Sequence, residues 1–385
     1  MPDLNPALAE RLRPIFEENF TRFGELGAAI SVWQHGQPIC ELHGGFCDAR
    51  REIPWTDETL VIVWSATKGI GSACLLHVLQ EHGIGLERAV AEFWPEFAAN
   101  GKEAITLVQL LSHQAGLAAL DEPADATDFE AVVRALAQQA PVWPPGGAHG
   151  YHARTFGYLL DELVRRIDGR ALGVYWREVF AEPLAVDFWI GLPEELNPRV
   201  VTIYAAKAGG VAEPAEFYRA LATPGTLTRQ VFSSPRGLSA VSAMNTPENR
   251  ALSLVSLGGI GSAHALAKFY ALLAHGGELE GRRFFTAATL AQMKTTLTDG
   301  IDRVFGIPTA FSAGFMKSSR QLDRRLFGLS PDAFGHPGAG GSTAFADPEH
   351  DISFAYVMNQ MTQTLLPNEK SRRLVDEIYR ALGSS

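Results

Sequence analysis

Cysteine is scarce: the chain of 385 residues holds three, Cys40, Cys47 and Cys74. Their number is odd and no CxxC spacing occurs, which argues against a disulfide framework and a thiolate zinc site. Positive charge is also in short supply. Lys and Arg total 33 against 43 Asp and Glu, a formal net charge of -10. Phosphate neutralisation needs clustered cations, so no nucleic-acid partner is expected. The same balance gives no attraction to an anionic membrane surface. No apolar run approaches the roughly 18 residues needed to span a bilayer. The start, Met1-Pro2-Asp3-Leu4-Asn5, continues into Ala9-Glu10-Arg11-Leu12-Arg13 without an apolar core or small-residue cleavage site. No signal peptide is read there, and a cytoplasmic location is the default expectation. No internal repeat or low-complexity segment stands out.

What is present is ordinary globular composition, 46% hydrophobic and 20% charged, in a chain longer than one usual domain. Leu8, Leu12, Ile15, Phe16 and Phe20 recur at helical spacing over residues 6–23, with Pro14 either kinking that helix or marking its start. Extended runs at 28–33 and 38–42 flank His35-Gly36-Gln37 and read as a hairpin. A second hairpin is expected at 342–346 and 352–358, followed by a helix over about 370–382. Helical patterns occupy 69–82, 129–139, 155–168 and 262–275, the last capped by Ser262 and closed by Gly276 and Gly277. Residues 190–250, rich in Pro, Gly, Ser and Thr, read as an irregular stretch, a pocket wall, lid or surface loop. The expected class is α/β (α+β): one antiparallel sheet from both termini, flanked by helices. Residues 1–90 and 255–385 would form that sheet domain, with 91–254 an inserted, mainly helical region.

The chemistry begins at Ser65-Ala66-Thr67-Lys68, which follows the apolar, β-branched run Leu60-Val61-Ile62-Val63-Trp64, read as a strand. From Lys68 the pattern turns helical, so Ser65 is expected near a helix N-terminus with Lys68 one turn later on the same face. A serine hydroxyl needs a nearby base to become a nucleophile. A lysine amine serves if burial and neighbouring cations lower its pKa. An SxxK pattern arises by chance about once in a chain of this size, and a serine at a helix start is also a common N-cap.

Two further segments carry candidate partners. Pro144-Pro145-Gly146-Gly147-Ala148-His149-Gly150-Tyr151-His152-Ala153 precedes a strong helix and puts Tyr151 at the loop-to-helix junction. A phenol there can relay a proton if cations depress its pKa; otherwise Tyr151 is an aromatic anchor. Gly335-His336-Pro337-Gly338-Ala339-Gly340-Gly341-Ser342 runs into a strand. Its glycines let backbone approach a ligand, and a backbone N–H there can help hold an oxyanion, unless the segment is only a tight turn.

Together these segments resemble the serine β-lactamase/penicillin-binding-protein superfamily, most of all the class C β-lactamases and the related family VIII carboxylesterases. The likeness lies in the order SxxK (Ser65–Lys68), Tyr151-His152-Ala153, then His336-Pro337-Gly338, and spans about residues 25 to 360. Leu110-Leu111-Ser112-His113-Gln114-Ala115-Gly116-Leu117 also matches a family segment and reads as structural, a helix end turned by Gly116. The resemblance implies a β-lactamase/transpeptidase-like fold in which Ser65 attacks an acyl carbonyl. Lys68 and Tyr151 would share general base and acid duty, and the N–H groups of Ser65 and Ala339 would hold the oxyanion. His336 and Gly338 would contact substrate. No metal or organic cofactor is implied. Two departures matter: Ala153 stands where class C enzymes have an Asn, and His336-Pro337 replaces Lys-Thr. Both favour small-molecule ester substrates over β-lactams.

Other readings remain in view. The same nucleophile would serve a β-lactamase, a D-aminopeptidase or other amide hydrolase, or an acyltransferase, because pocket shape selects the acceptor. A binding or scaffolding protein on this fold is possible without catalysis. His149 and His152, or His77 and His82, lack the carboxylate or spacing for a metal site. Trp64, Trp143, Trp189, Phe311 and Phe315 line an apolar acyl pocket or fill the core. The sequence leaves the oligomeric state open.

Overall fold

The computed structural model describes residues 4–207 and 213–383. Met1-Pro2-Asp3 and residues 208–212 of the irregular stretch lie outside the described residues.

Two strands near the start, β1 (Gly27–Gln34) and β2 (Gln37–Gly45), form a hairpin around His35 and Gly36, both at positive φ. Three short strands, β3 (Val61–Ile62), β4 (Phe188–Ile190) and β5 (Gly259–Gly261), make a separate antiparallel sheet in the order β3-β5-β4. A small hairpin pairs β6 (Glu278–Leu279) with β7 (Arg282–Arg283). The remaining strands are β8 (Thr298–Ile301), β9 (Pro308–Phe311), β10 (Met316–Lys317), β11 (Phe334–Pro337), β12 (Thr343–Asp347) and β13 (Ile352–Met358). They join the first hairpin in an eight-stranded antiparallel sheet, order β2-β1-β13-β12-β11-β10-β9-β8. Register is set by buried side chains: Ile30 opposes Tyr356, and Phe345 opposes Phe354.

Helices cover both faces, so β12 and β13 are buried along their whole length. The first helix, α1 (Pro6–Thr21), is capped by Asn5 and runs through Pro14, which therefore marks neither its start nor its end. It packs with the last helix, Glu369–Ala381, through Leu12, Phe16, Leu374 and Ile378 against the face that carries Phe345 and Phe354. On the other face lie α2 (Thr67–Glu81) and a helix at Ala263–Ala274, which Ser262 caps by accepting the Ala265 N–H. Nearly every residue of α2 is buried, the mark of a central helix enclosed on all sides.

Between β3 and β5 the chain is mainly helical, with Leu107–Leu111, Phe129–Gln138, Thr155–Asp168 and Leu172–Trp176. Two expectations need correction. The run at 60–64 contributes only Val61 and Ile62 to a strand, in the small sheet, because the chain must turn sharply to present Ser65. Residues 190–250 also hold short helices, Ala215–Ala222 and Leu227–Ser233, whose single apolar faces were too brief to register as periodicity.

Candidate active site

Ser65, the candidate nucleophile, sits on a strained turn. Residues Trp64–Ala66 form a 3-10 turn between β3 and α2, and Trp64 takes φ +51°, a costly conformation for an aromatic residue. Thr67 holds the turn in place. Its hydroxyl donates to the Trp64 carbonyl at 2.5 Å and accepts the Gly259 N–H at 2.9 Å. A Cβ on Gly259 would lie 2.5 Å from that same oxygen. Ser65 is left half-buried at the head of α2.

Lys68, one turn on, is fully buried. Its Nζ lies 3.2 Å from Ser65 Oγ, 2.7 Å from the Ala153 carbonyl and 2.7 Å from the Ser256 carbonyl. Burial, reinforced by the Arg154 guanidinium, holds its pKa well below that of an ordinary lysine. A neutral amine has two protons and one lone pair. In that form the two carbonyls, which can only accept, would take both protons and leave the lone pair toward Ser65. Ser256 is itself anchored, its hydroxyl donating to the Arg154 carbonyl at 2.9 Å and accepting the Gly157 N–H at 2.6 Å.

Tyr151 is buried against two aromatic rings, Phe305 at 4.7 Å and the stacked Phe311 at 6.2 Å between centroids. Lys68 Nζ lies 4.9 Å from its ring centre. The phenol was expected to need cations that lower its pKa. Burial does the reverse, pushing it up strongly, with the Ser65 hydroxyl opposing and the Asp302 charge adding to the rise. A phenol held that way stays protonated.

The His336 Nε2 atom is 3.4 Å from the Tyr151 hydroxyl, and its Nδ1 is 2.7 Å from the Pro337 carbonyl. That carbonyl requires Nδ1 to carry the proton, which leaves Nε2 to accept from the phenol. Burial, with Lys68 adding to it, pushes the imidazole pKa down to about 3, so His336 is neutral. Gly338 lets the end of β11 meet the Ser65 turn: a Cβ there would lie 2.1 Å from the Val63 carbonyl. Ala339 follows, exposed. Among the described residues, the amides of Ser65 and Ala339 donate to no other backbone group.

The structure thus brings Ser65, Lys68, Tyr151, His336 and Gly338 together. It also adds residues that sequence reading passed over. His113, read only as part of a helix end, places its ring 5.1 Å from Tyr151 and accepts the His152 N–H on Nδ1. Ser256 and Asp302 carry no local motif at all. Of the aromatic candidates, Phe311 and Phe315 are core, whereas Trp189 lies beneath the Arg177 guanidinium, 3.8 Å from its ring centre, on the small sheet.

The sequence model of the beta-lactamase family matches residues 16–377. This chain belongs to the beta-lactamase family. Among characterised relatives it is similar to the Esterase/beta-lactamase LipL of Mycobacterium tuberculosis (strain ATCC 25618 / H37Rv), 31% identical over 364 residues, which cover 90% of this chain and 79% of that protein. Among solved structures it is similar to a penicillin-binding protein homolog from Caulobacter crescentus (TM-score 0.87, 37% identity, 98% of each chain). It is equally similar in shape to a family VIII carboxylesterase (TM-score 0.87, 33% identity, 99% of each chain). The fold is β-lactamase/transpeptidase-like, and the family is one of hydrolases with esterases among this chain's homologues. Among the described residues, no helix is long and apolar enough to cross a membrane.

Proposed function

We propose that the chain is a serine carboxylesterase acting on small neutral esters through an acyl-enzyme on Ser65. The observation that carries this reading is the place of Lys68 Nζ, buried 3.2 Å from Ser65 Oγ, with the Ala153 and Ser256 carbonyls each 2.7 Å away to accept its other protons. Ser65 gives its proton to Lys68 Nζ as Oγ attacks the ester carbonyl. The developing oxyanion meets the N–H groups of Ser65 and Ala339. As the C–O bond breaks, the Tyr151 hydroxyl protonates the leaving alkoxide, and the Lys68 ammonium returns that proton to the phenolate. Water then attacks the acyl carbon and gives its proton to Lys68 Nζ, and the Lys68 ammonium returns that proton to Ser65 Oγ as its bond to the acyl carbon breaks and the acid leaves. In this division Lys68 is the base and Tyr151 the acid, since the phenol is too weakly acidic to serve as a resting phenolate.

The preference for esters rests on two residues. Ala153 offers no side-chain amide, and its carbonyl is already committed to Lys68. His336 is uncharged, so no permanent cation stands there to hold a β-lactam carboxylate. Trapping by intact mass across an ester, an amide and a β-lactam, with Ser65→Ala as control, tests the chemistry; persistent acylation of that variant would sink the assignment. For the preference, kcat/KM on p-nitrophenyl butyrate should exceed that on nitrocefin. The reverse order would favour the second reading, a β-lactamase, which the description of the mycobacterial relative keeps open.

A further inference from the structure

We infer that Asp302 is a positioning residue for Tyr151, a buried carboxylate that fixes the backbone carrying the phenol. The inference rests on the proposed acid role of Tyr151. Asp302 lies in the turn between β8 and β9, wholly buried. Both of its oxygens accept the Tyr151 N–H at 3.1 Å. Oδ1 also takes the N–H groups of Val304 and Phe305, at 2.8 and 2.9 Å, and Oδ2 takes the Thr309 hydroxyl at 3.1 Å. One side chain therefore ties the Tyr151 segment to its own turn and to β9.

The tie extends to a second point. Thr309 Oγ1 lies 2.9 Å from His149 Nε2, and His149 Nδ1 lies 2.8 Å from Thr298 Oγ1. Because the Thr309 hydroxyl donates to Asp302, it must accept from His149 Nε2–H, and in the neutral ring, which burial favours, His149 Nδ1 then accepts from Thr298. Every proton in this chain points toward the carboxylate. Residues 149 and 151 are both held, on a Pro- and Gly-rich segment that reaches its helix only at Thr155. The turn also places the Tyr151 neighbour: Phe305, whose amide Asp302 holds, packs its ring at 4.7 Å from the phenol ring.

A fold that needed only a filled core would place an apolar residue here, because a buried charge is costly even when well satisfied. The carboxylate supplies what an apolar side chain cannot, a directional hold on one N–H. Misplacing a catalytic group by about 1 Å costs on the order of 100-fold in rate.

The test is a double-mutant cycle on p-nitrophenyl butyrate, with kcat and KM measured below each variant's own Tm. Asp302→Asn keeps the volume but turns an amide N–H toward backbone N–H groups. It should lower kcat about tenfold or more while KM changes less than about threefold. In a Tyr151→Phe background the same change should lower kcat less than about twofold, because no phenol remains to be placed. Equal losses in both backgrounds, or a wild-type kcat for Asp302→Asn, would overturn the inference. Should Asp302→Asn fail to fold, Thr309→Val removes a single donor; its smaller loss of kcat should again vanish beside Tyr151→Phe, and a loss that persists there overturns the inference. Full kcat in Tyr151→Phe alone would instead remove the acid role of Tyr151, and this inference with it.

Discussion

The two halves of the site are built by different means. Ser65 and Lys68 belong to one turn at the head of α2, three residues apart, so local geometry puts both side chains on one face, with Nζ 3.2 Å from Oγ. Tyr151 and His336 are 185 residues apart and meet at 3.4 Å only because β11, the β8–β9 turn and the segment before Thr155 converge. The first half needs local chemistry, namely the strained Trp64 and the Thr67 hydroxyl that locks it. The second depends on packing, from Phe305 and Phe311 against the phenol to the carboxylate beneath its backbone. A nucleophile and its base must be matched to tenths of an ångström, and a single helical turn achieves that at low entropic cost. An acid that meets a departing group can be delivered from elsewhere, provided something holds it.

Substitutions should separate the halves. The largest effect is expected for Ser65→Ala, a loss of about 10^4-fold or more in kcat together with loss of the acyl-enzyme mass adduct. Lys68→Met should cost about 10^3-fold in kcat, and should also destabilise the fold by about 1–3 kcal/mol because two buried carbonyls lose their donor, read by denaturant melting. Tyr151→Phe should cost nearer 10^2-fold with little change in KM; a loss matching Lys68→Met would erase the contrast between base and acid. Gly338→Ala tests the junction of the halves. Its Cβ would collide with the Val63 carbonyl, so stability should fall by roughly 1–3 kcal/mol in a urea melt.

The smallest effect is a shift in pH dependence. Arg154 helps to lower the pKa of Lys68, so Arg154→Leu removes a repelling cation and lets Lys68 bind a proton more readily. Protonated Lys68 has no lone pair for Ser65. The acid limb of the kcat/KM profile should therefore move to higher pH, and a limb that stays put or moves to lower pH would remove Arg154 from the tuning of the base.

Much of the helical frame was legible because single apolar faces repeat over three turns or more, as in Phe129–Gln138 and Thr155–Asp168. Hairpins were legible from turn residues such as His35-Gly36 between extended runs. Short helices at 215–222 and 227–233 were not, since two turns give too few apolar positions to establish a period. Nor was the turn at Trp64, whose apolar surroundings read as strand until the positive φ is seen.

Residue order by itself determined that Ser65 and Lys68 share a helix face, because 3.6 residues per turn leaves residues three apart as neighbours. The resemblance to class C β-lactamases added that Ala153 and His336 stand where those enzymes carry an Asn and a Lys. Only the tertiary structure decided that Lys68 gives up its proton more readily than an ordinary lysine, that Tyr151 keeps its proton and that His336 is an acceptor. Each of those depends on burial and on carbonyls or a carboxylate from distant segments: Ala153 and Ser256, Pro337, and Asp302. Desolvation and the direction of a hydrogen bond are properties of what surrounds a group in space, and no local pattern in the chain encodes them.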